Sequence, residues 1–416
     1  MAFMCYPLGL VPYLTGQNLR WIYLIPLVLL ALFKAPLKKI VNQGLFLVIF
    51  ANVLWGVSST IWSENYMISL MKGGVAAVCA LSALIVGWDW ARRKQMRYLL
   101  DLLAPAFVLI YLAGFLGIQK QMGYLLDFGG QVGQVYVLAP GLNPNAFGIL
   151  VVMVSILPLW RFYLSLRGTL FEQMIWGAGS AIAIYFCLSS NARAALVALS
   201  FVFLGGLLAM GMRQRYQIFL GGVVVLAMLW SAQSLTIDYF VDRYVYKGSN
   251  AILMSRESVW KESFDMAKKG GLVGIGYGLT YGLKGYEFQG QLSMGFYREK
   301  GNSQLAIMEE LGVVGLALYI LMFVVLMATV WRTFQRCRDR DAKLMIGLLV
   351  GITVGLMAHS VFEAWWTAPG SSTFIFYWAV LGLLMGVLDR VRAAQRRQPV
   401  TYAPPRSPLY PVRPMG

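Results

Sequence analysis

Apolar runs of about twenty residues follow one another along the chain, and a run of this length spans the hydrocarbon core of a bilayer as a helix. The runs are near-continuous rather than alternating, which favours helices over a membrane β-barrel. The pattern therefore predicts an all-α polytopic membrane protein with about twelve transmembrane helices and one large extracytoplasmic loop containing short helices. The predicted spans are residues 3–15, 20–34, 44–62, 67–88, 99–117, 146–164, 173–189, 194–211, 216–233, 304–330, 343–366 and 371–388.

Composition and charge placement agree with this class. Hydrophobic residues make up 59% of the 416 residues and charged residues only 13%, more apolar surface than a soluble domain can bury. The net charge of +17 does not indicate nucleic acid, because Lys and Arg gather on alternate short connections, as the positive-inside rule requires. This placement predicts that both termini are cytoplasmic. The clusters are Lys34, Lys38 and Lys39; Arg92, Arg93, Lys94 and Arg97; Arg213 and Arg215; Arg332, Arg336, Arg338 and Arg340; and Arg390, Arg392, Arg396 and Arg397.

The chain is predicted to form one integral membrane domain, residues 1–397, followed by a disordered cytoplasmic tail, residues 398–416. Its start lacks the pattern of a cleavable signal, so the first apolar run is expected to remain as a helix. Two long connections then face outward, residues 118–145 and about 234–303. The informative chemistry is therefore expected at the outer face.

No cofactor or metal is expected from the sequence. The four cysteines are scattered without metal-ligand spacing or a disulfide framework, and His359 is the single histidine. The segment "GGLVGIGYG" (Gly270–Gly278) lacks the Gly-Lys-Ser/Thr that completes a phosphate loop. It is predicted to be a tight loop whose glycines allow positive φ or close backbone approach.

Cations at the outer face are the first candidate chemistry. Arg193 begins the eighth span, Arg256 opens "SRESVWKESFDMAKK", and Lys72 lies within about two turns of the outer end of the fourth span. Arginine binds phosphate oxygens in bidentate fashion. Each arginine can also be a headgroup anchor or a snorkelling residue, and Lys72 can be a buried ion pair or a snorkelling residue. The segment after Arg256 has an apolar stripe that predicts a helix on the membrane surface or capping a cavity. The stripe comprises Val259, Trp260, Phe264 and Ala267.

Amides precede two of the spans. The segment "GLNPNAFG" contains Asn143 and Asn145 just before the sixth span. Asn302 and Ser303 begin the tenth span, where they are predicted to cap a helix whose N-terminal dipole faces an anionic substrate.

Two acid–base candidates lie near these groups. His359 and Glu363 are four residues apart in the eleventh predicted span, so they are expected to share a helical face as an acid–base unit or as a polar pair joining helices. The other candidate is Glu310, or Glu299 just before the tenth span, with a lid-helix or loop partner for an arginine as the alternative role of Glu310.

Taken together, these features resemble the O-antigen ligase and polymerase superfamily of bacterial envelope glycosyltransferases over most of the chain. The resemblance rests on the span pattern, the large loop before the tenth span and four local matches. The matches are "SSNARAAL" (Arg193), "SRESVW…GGLVGIGYG" (Arg256), "LNPNAFG", and "NSQLAIMEELGVVG", in which Asn302 precedes nine residues and then Gly312 and Gly315.

The resemblance implies metal-independent transfer of a glycan from a polyprenyl-diphosphate-linked oligosaccharide donor to a glycan hydroxyl, at the outer face of the bacterial inner membrane. Ligases of this family carry a histidine where this chain has Gly301, which favours a polymerase whose acceptor is a second lipid-linked glycan. The implied partners are these two substrates, the lipid bilayer and a chain-length regulator protein, with no nucleic acid. The implied catalytic residues are Arg193, Arg256, His359 and Glu310, and the substrate-binding residues are Lys72, Asn143, Asn145, Asn302, Ser303 and Glu363.

Three alternatives remain open from the sequence. An O-antigen ligase would transfer the glycan to lipid A-core. A flippase would place charges along a central cavity and show inverted repeats, whereas the ionisable residues here concentrate at the outer face. A protein O-oligosaccharyltransferase or a peptidoglycan polymerase could use a related fold.

Overall fold

The computed structural model describes residues 37–41, 43–125, 144–190, 192–211, 254–280 and 300–397, together with Pro26, Leu29 and Arg215. Within this part of the chain the regular secondary structure is helical and contains no strand. The helices are α1 (Leu37–Val41), α2 (Gly44–Ser58), α3 (Tyr66–Arg93), α4 (Ala104–Leu125), α5 (Pro144–Ser165), α6 (Leu170–Ser189), α7 (Arg193–Ala209), α8 (Met254–Lys269), α9 (Ser303–Arg336), α10 (Arg340–Ser360) and α11 (Ser372–Arg397).

Eight helical segments of the described part are long and apolar enough to cross a membrane, and α7 is a shorter apolar helix. Each predicted span from residue 44 to 211 and from residue 304 to 388 overlaps one of these helices, although the span 343–366 runs past the end of α10 at Ser360. The all-α polytopic membrane class is therefore confirmed. The predicted spans 3–15 and 216–233, and most of 20–34, lie outside the described residues, so the count of about twelve stays a prediction.

Small residues set the packing at the centre of the bundle. A Cβ added at Gly355 would lie 2.5 Å from the carbonyl oxygen of Ala198, and one added at Gly347 would lie 2.3 Å from that of Gly205. Helices in membranes associate through such close backbone approach, because apolar side chains gain nothing by leaving lipid for protein. These contacts fix α7 and α10 as an antiparallel pair in which residue 198 lies level with residue 355.

A second close pair joins α3 to α11, which run in the same direction. A Cβ at Gly382 would lie 2.1 Å from the carbonyl oxygen of Leu84, and one at Gly386 would lie 2.5 Å from that of Trp88. Both helices end in basic residues, and their ends are tied by an ion pair of 3.0 Å between Arg92 and Asp389.

The basic residues thus gather at one end of the bundle, termed here the basic end. Arg390 donates to the carbonyl oxygens of Ala91 and Lys94. Arg167, in the connection between α5 and α6, forms an ion pair of 2.8 Å with Asp341 in the first turn of α10. The starts of α5, α7 and α9 lie at the opposite end of the bundle, where the polar residues predicted for the site meet.

Candidate active site

Three segments meet in a polar cluster opposite the basic end. Asn145, in the first turn of α5, donates from Nδ2 to Oε1 of Glu363 over 3.2 Å. Ser303, the first residue of α9, donates from Oγ to the main-chain oxygen of Glu363 over 2.8 Å and accepts from the amide of Trp366. The start of α5, the start of α9 and the connection between α10 and α11 are therefore held together by Asn145, Ser303 and Glu363, which were all predicted as site residues.

Gln304 extends this cluster deeper into the bundle. Its Nε2 donates to the hydroxyl of Tyr319 over 2.9 Å and to Oγ of Ser360 over 2.8 Å. Tyr319 in turn donates to the sulfur of Met357 over 3.3 Å. The first turn of α9 is thus bonded to the last turn of α10.

Arg193 and His359 lie level with each other at this end. Because residue 198 of α7 lies opposite residue 355 of the antiparallel α10, Arg193 at the start of α7 lies opposite the last turn of α10, which contains His359. His359 is buried, with 4% of its surface exposed, and Arg193 is half-buried. A Cβ at Gly148 would lie 2.8 Å from Cβ of Ala192, which places the first turn of α5 beside the start of α7. The predicted residues Asn145, Arg193 and His359 are therefore brought together.

The expected shared helical face of His359 and Glu363 is wrong. α10 ends at Ser360, where the amides of Val361 and Phe362 bond to the carbonyl oxygens of Ala358 and His359 in a closing turn. Glu363 lies beyond that turn, in the connection bonded to Ser303 and Asn145. The apolar sequence continues past Ser360 into Phe362 and Trp365, so hydropathy gave no sign that the helix stops.

The two remaining predicted groups of the outer loops are less fully described. Asn143 lies outside the described residues. Arg256 lies in the first turn of α8, and its side chain is outside the part of the chain that the structure describes.

Helix α8 packs along the start of α9, with a buried face that differs from the predicted stripe. Ser263 and Ala267 are buried, whereas Phe264 is 49% exposed. Trp260 donates from Nε1 to the carbonyl oxygen of Gly301 over 3.2 Å, and Ser263 donates to that of Lys300 over 2.5 Å. Trp260, Ser263 and Ala267 share one face of the helix because they are three and four residues apart. The predicted stripe omitted Ser263 because it counted apolar side chains alone.

The segment before α9 is held in an unusual backbone conformation. Gly301 has φ of +61°, and a Cβ there would lie 2.5 Å from Cγ1 of Val259. Asn302 is the N-cap of α9, and its Oδ1 accepts from the amide of Leu305 over 2.9 Å. The predicted cap by Asn302 is confirmed, whereas Ser303 bonds to the α10–α11 connection instead.

The glycine-rich segment is a tight loop, as predicted, with positive φ at Gly271, Gly274, Gly276 and Gly278. It docks on α9 where that helix is broken at Gly312, which has φ of +70°. The amides of residues 275 and 276 bond to the carbonyl oxygens of Glu309 and Glu310 over 3.1 and 2.9 Å. A Cβ at Gly312 would lie 2.3 Å from the carbonyl oxygen of Leu272, so only glycine allows the loop to come this close.

A buried cluster of charges lies beneath this loop. Lys300 donates from Nζ to Oε1 of Glu310 over 2.5 Å and lies 3.5 Å from Oε2 of Glu309. The other carboxylate oxygen of Glu310 accepts from the amide of Gly278 over 2.6 Å, and Lys72 donates to the carbonyl oxygen of Gly278 over 2.9 Å. All four charged side chains are at most 3% exposed. Lys72, Lys300, Glu309 and Glu310 are called the lysine–glutamate cluster below.

Both carboxylate oxygens of Glu310 are engaged by groups that fix the loop, and Lys72 also bonds to the loop backbone. Glu310 and Lys72 therefore both bond to the backbone of the glycine loop. Tyr277, which precedes Gly278 in the loop, is buried and donates from its backbone amide to Oγ of Ser59. Burial, and then the charge of Glu310, raise the pKa of the Tyr277 phenol well above its ordinary value, so this phenol stays protonated.

Two residues with clear roles in this arrangement were not predicted. Lys300 precedes the Asn302 motif by only two residues, but its burial depends on α8 and the glycine loop folding over it. Gln304 was visible as a polar residue at the start of an apolar run, which is the signal that could have identified it.

The part of the chain that the structure describes contains no group of three or more His, Cys, Asp or Glu side chains placed to hold a metal ion.

These features define a polytopic helical membrane protein with an arginine, a histidine and amides gathered at one end of its bundle. A sequence model of the family described as O-antigen ligase matches residues 178–320, which confirms the family resemblance over that segment. The match contains Arg193, Arg256, Asn302, Ser303 and Glu310, and it ends before His359 and Glu363. No curated protein matches the chain. The match supports glycosyl transfer of the O-antigen ligase and polymerase type, with lipid-linked glycan substrates, in the bacterial inner membrane.

Gly301→Ala is expected to destabilise the protein by at least about 1–2 kcal/mol, the cost of the left-handed conformation for a residue with a Cβ. The Cβ would also collide with Val259. Thermal unfolding of the purified variant measures the loss. The matched control is Gly74→Ala in α3, where a Cβ meets no atom within 4 Å and stability should hold or rise. Equal unfolding temperatures for the two variants would contradict the assigned backbone conformation.

Proposed function

We propose that the protein is a polysaccharide polymerase that transfers a glycan from a polyprenyl-diphosphate carrier to a hydroxyl of a second lipid-linked glycan. The acceptor oxygen attacks the anomeric carbon, the bond from that carbon to the diphosphate oxygen breaks, and the lipid diphosphate leaves with the electron pair. The acceptor proton passes to a base on the protein. No metal is required in this proposal, and a chain-length regulator protein is a further partner.

Gly301 is the observation that favours polymerase over ligase. It stands where ligases of the family carry the histidine thought to assist the acceptor hydroxyl. Its positive φ, the space taken by Val259 and the bond from Trp260 to its carbonyl oxygen leave no place for an imidazole. Glycine at this position is therefore built into the packing of α8 on α9, which argues for a different proton acceptor.

Arg193 and Arg256 are assigned to the departing diphosphate. A guanidinium binds two phosphate oxygens at once and never loses its charge, so it stabilises the charge that develops on the leaving group. Asn145, Asn302 and Ser303 position the sugar or the diphosphate beside Arg193, together with Asn143 in the preceding loop. The position of Arg193 level with the last turn of α10 supports this role.

His359 is assigned as the proton acceptor. It is the one histidine of the chain, it is nearly buried, and it lies level with Arg193. An imidazole takes up a proton near neutral pH, which suits general base catalysis. Glu363, tied to Asn145 and Ser303, then belongs to the substrate-binding wall, and Glu310 positions the loop.

The active site is assigned to the periplasmic face and both termini to the cytoplasm. Positively charged connections stay cytoplasmic in polytopic proteins, and here they gather at the basic end. The predicted site residues meet at the opposite end, which supports the assignment.

The function is tested with purified protein and a polyprenyl-diphosphate oligosaccharide, with and without lipid A-core. Growth of a ladder of products supports the polymerase. A single transfer that requires lipid A-core would identify a ligase, and movement of intact carrier across a vesicle membrane without transfer would identify a flippase.

His359→Ala is expected to lower the rate of chain extension by about a hundredfold or more, because general base catalysis contributes about 10²–10⁴ in rate. The rate of the residual reaction should also lose the rise with pH that deprotonation of the imidazolium causes at mildly acidic pH. The control is His359→Gln, which keeps a polar group of similar size and should be equally slow if proton transfer is the role. Full activity in either variant would exclude His359 as the base.

A further inference from the structure

The basic end contains a half-open cavity of about 840 Å³ between the last turns of α9 and α11. Its described lining includes six arginines and one acidic residue, Asp339. This volume is in the range of small-molecule sites. The arginines are Arg332, Arg336, Arg338, Arg390, Arg392 and Arg396.

Helix geometry explains how these arginines converge. Arg332 and Arg336 lie four residues apart on α9, and Arg392 and Arg396 lie four apart on α11, so each pair shares one helical face. Like charges at this spacing destabilise a helix. The positive-inside rule requires basic residues at this end of the bundle, but it does not require that two helices aim them at a single cavity.

The lining supplies little negative charge to offset them. Within the described residues, no carboxylate forms an ion pair with Arg332, Arg336, Arg338 or Arg396. The carboxylate of Asp339 caps α10 and accepts from the amide of Asp341 over 2.9 Å.

Two of the arginines are held in place by neutral groups. Arg392 donates from Nε to Oγ1 of the buried Thr333 over 3.1 Å, and Arg390 is anchored on the carbonyl oxygens of Ala91 and Lys94. The other four arginines are exposed toward the cavity or its rim. Trp331, 66% exposed and next to Arg332, is of the type found where a membrane meets water.

We propose that this cavity binds a ligand that carries two or more phosphate groups, held by the exposed guanidiniums in bidentate fashion. The ligand is either the headgroup of an anionic phospholipid of the same leaflet or a soluble polyphosphate compound. Basic pockets between transmembrane helices recognise lipid headgroups by this chemistry. The site lies at the end of the bundle opposite the proposed active site and does not depend on the function proposed there.

The test uses the purified full-length protein after removal of co-purified lipid. Cardiolipin and phosphatidylcholine are titrated separately and binding is counted by native mass spectrometry, while inorganic pyrophosphate is titrated by calorimetry. The cavity variant carries Arg336→Gln, Arg338→Gln and Arg396→Gln. The control variant carries Arg93→Gln, Lys94→Gln and Arg167→Gln, which removes the same charge from the same end outside the cavity lining.

Binding of cardiolipin or of pyrophosphate is expected to weaken at least tenfold in the cavity variant and by no more than about twofold in the control. Tight binding of cardiolipin alone identifies a lipid as the ligand, and tight binding of pyrophosphate alone identifies a soluble compound. Equal losses of binding in both variants would overturn the proposal, and so would unaltered binding in the cavity variant. The proposal would also fail if the protein bound cardiolipin no better than phosphatidylcholine and did not bind pyrophosphate.

Discussion

Arg193→Ala is expected to lower the rate of chain extension by about a hundredfold to a thousandfold, with the fold intact. Removing one group that stabilises developing negative charge in an enclosed site costs about that much in rate. Arg193 is half-buried at the head of α7, level with His359, and partial burial strengthens the attraction of its charge for a diphosphate. The measurement is the initial rate of product-ladder growth with purified protein at saturating donor. Arg256→Ala, in the first turn of α8, is expected to have a loss of similar size.

Two further variants separate the diphosphate role from a general effect of charge. Arg193→Lys keeps the charge but not the planar fork, so it should recover only part of the lost rate. Arg167→Ala removes an arginine whose ion pair with Asp341 lies at the basic end, and it should extend chains at nearly the normal rate. A normal ladder from Arg193→Ala would rule out the diphosphate clamp, as would equal losses from Arg193→Ala and Arg167→Ala.

The helices were predictable because hydropathy reports a property of each segment alone. A run of apolar residues long enough to cross the bilayer must bond its own backbone, so α2 to α7 and α9 to α11 follow from local sequence. The N-cap at Asn302 is also local, since the cap and the amide that donates to it are three residues apart. The end of α10 at Ser360 was missed, because a turn that closes on main-chain groups leaves the hydropathy unchanged.

The candidate site was predictable in its residue types more than in its contacts. Arg193, Asn145 and Ser303 stood out as polar groups at the ends of apolar runs, and His359 stood out as the single histidine within one. The bundle brings these groups to one end. The bond of Asn145 to Glu363 joins residues far apart in sequence and requires the packing of α5 near the α10–α11 connection. No pattern along the chain carries that information.

The lysine–glutamate cluster shows the same limit in a stronger form. Glu309 and Glu310 looked like polar residues at a membrane interface, because their burial arises only when the glycine loop closes over them. Gly312 breaks α9 where the glycine loop docks, and the side chain of Lys300 bonds to Glu310 there. The G-x-x-G element of the family motif therefore marks a docking site for backbone, and a local helix prediction passes over it.

Lys300→Met is expected to lower the free energy of unfolding by about 3–5 kcal/mol, the usual cost of removing one partner from a buried ion pair. Two lysines and two glutamates balance in the lysine–glutamate cluster, and each is at most 3% exposed. Methionine at position 300 would remove the cation that bonds to Glu310 and lies 3.5 Å from Glu309, and the bond to the carbonyl oxygen of Leu279 would also be lost. Chain extension should fall as well, since Lys300 directly precedes the start of α9, where Asn302 and Ser303 of the proposed site lie. Thermal and denaturant unfolding of the purified protein measure the change.

The double variant Lys300→Met with Glu310→Gln restores the charge balance, because Lys72 and Glu309 then remain. Its stability should recover most of the loss, and the amide oxygen of a glutamine can still accept from the amide of Gly278. Lys261→Met on the exposed face of α8 makes the same chemical change in water and should leave stability within about 0.5 kcal/mol of the natural protein. If Lys300→Met matched Lys261→Met, or if the double variant were less stable than Lys300→Met alone, the ion pair would not be what holds the loop on α9.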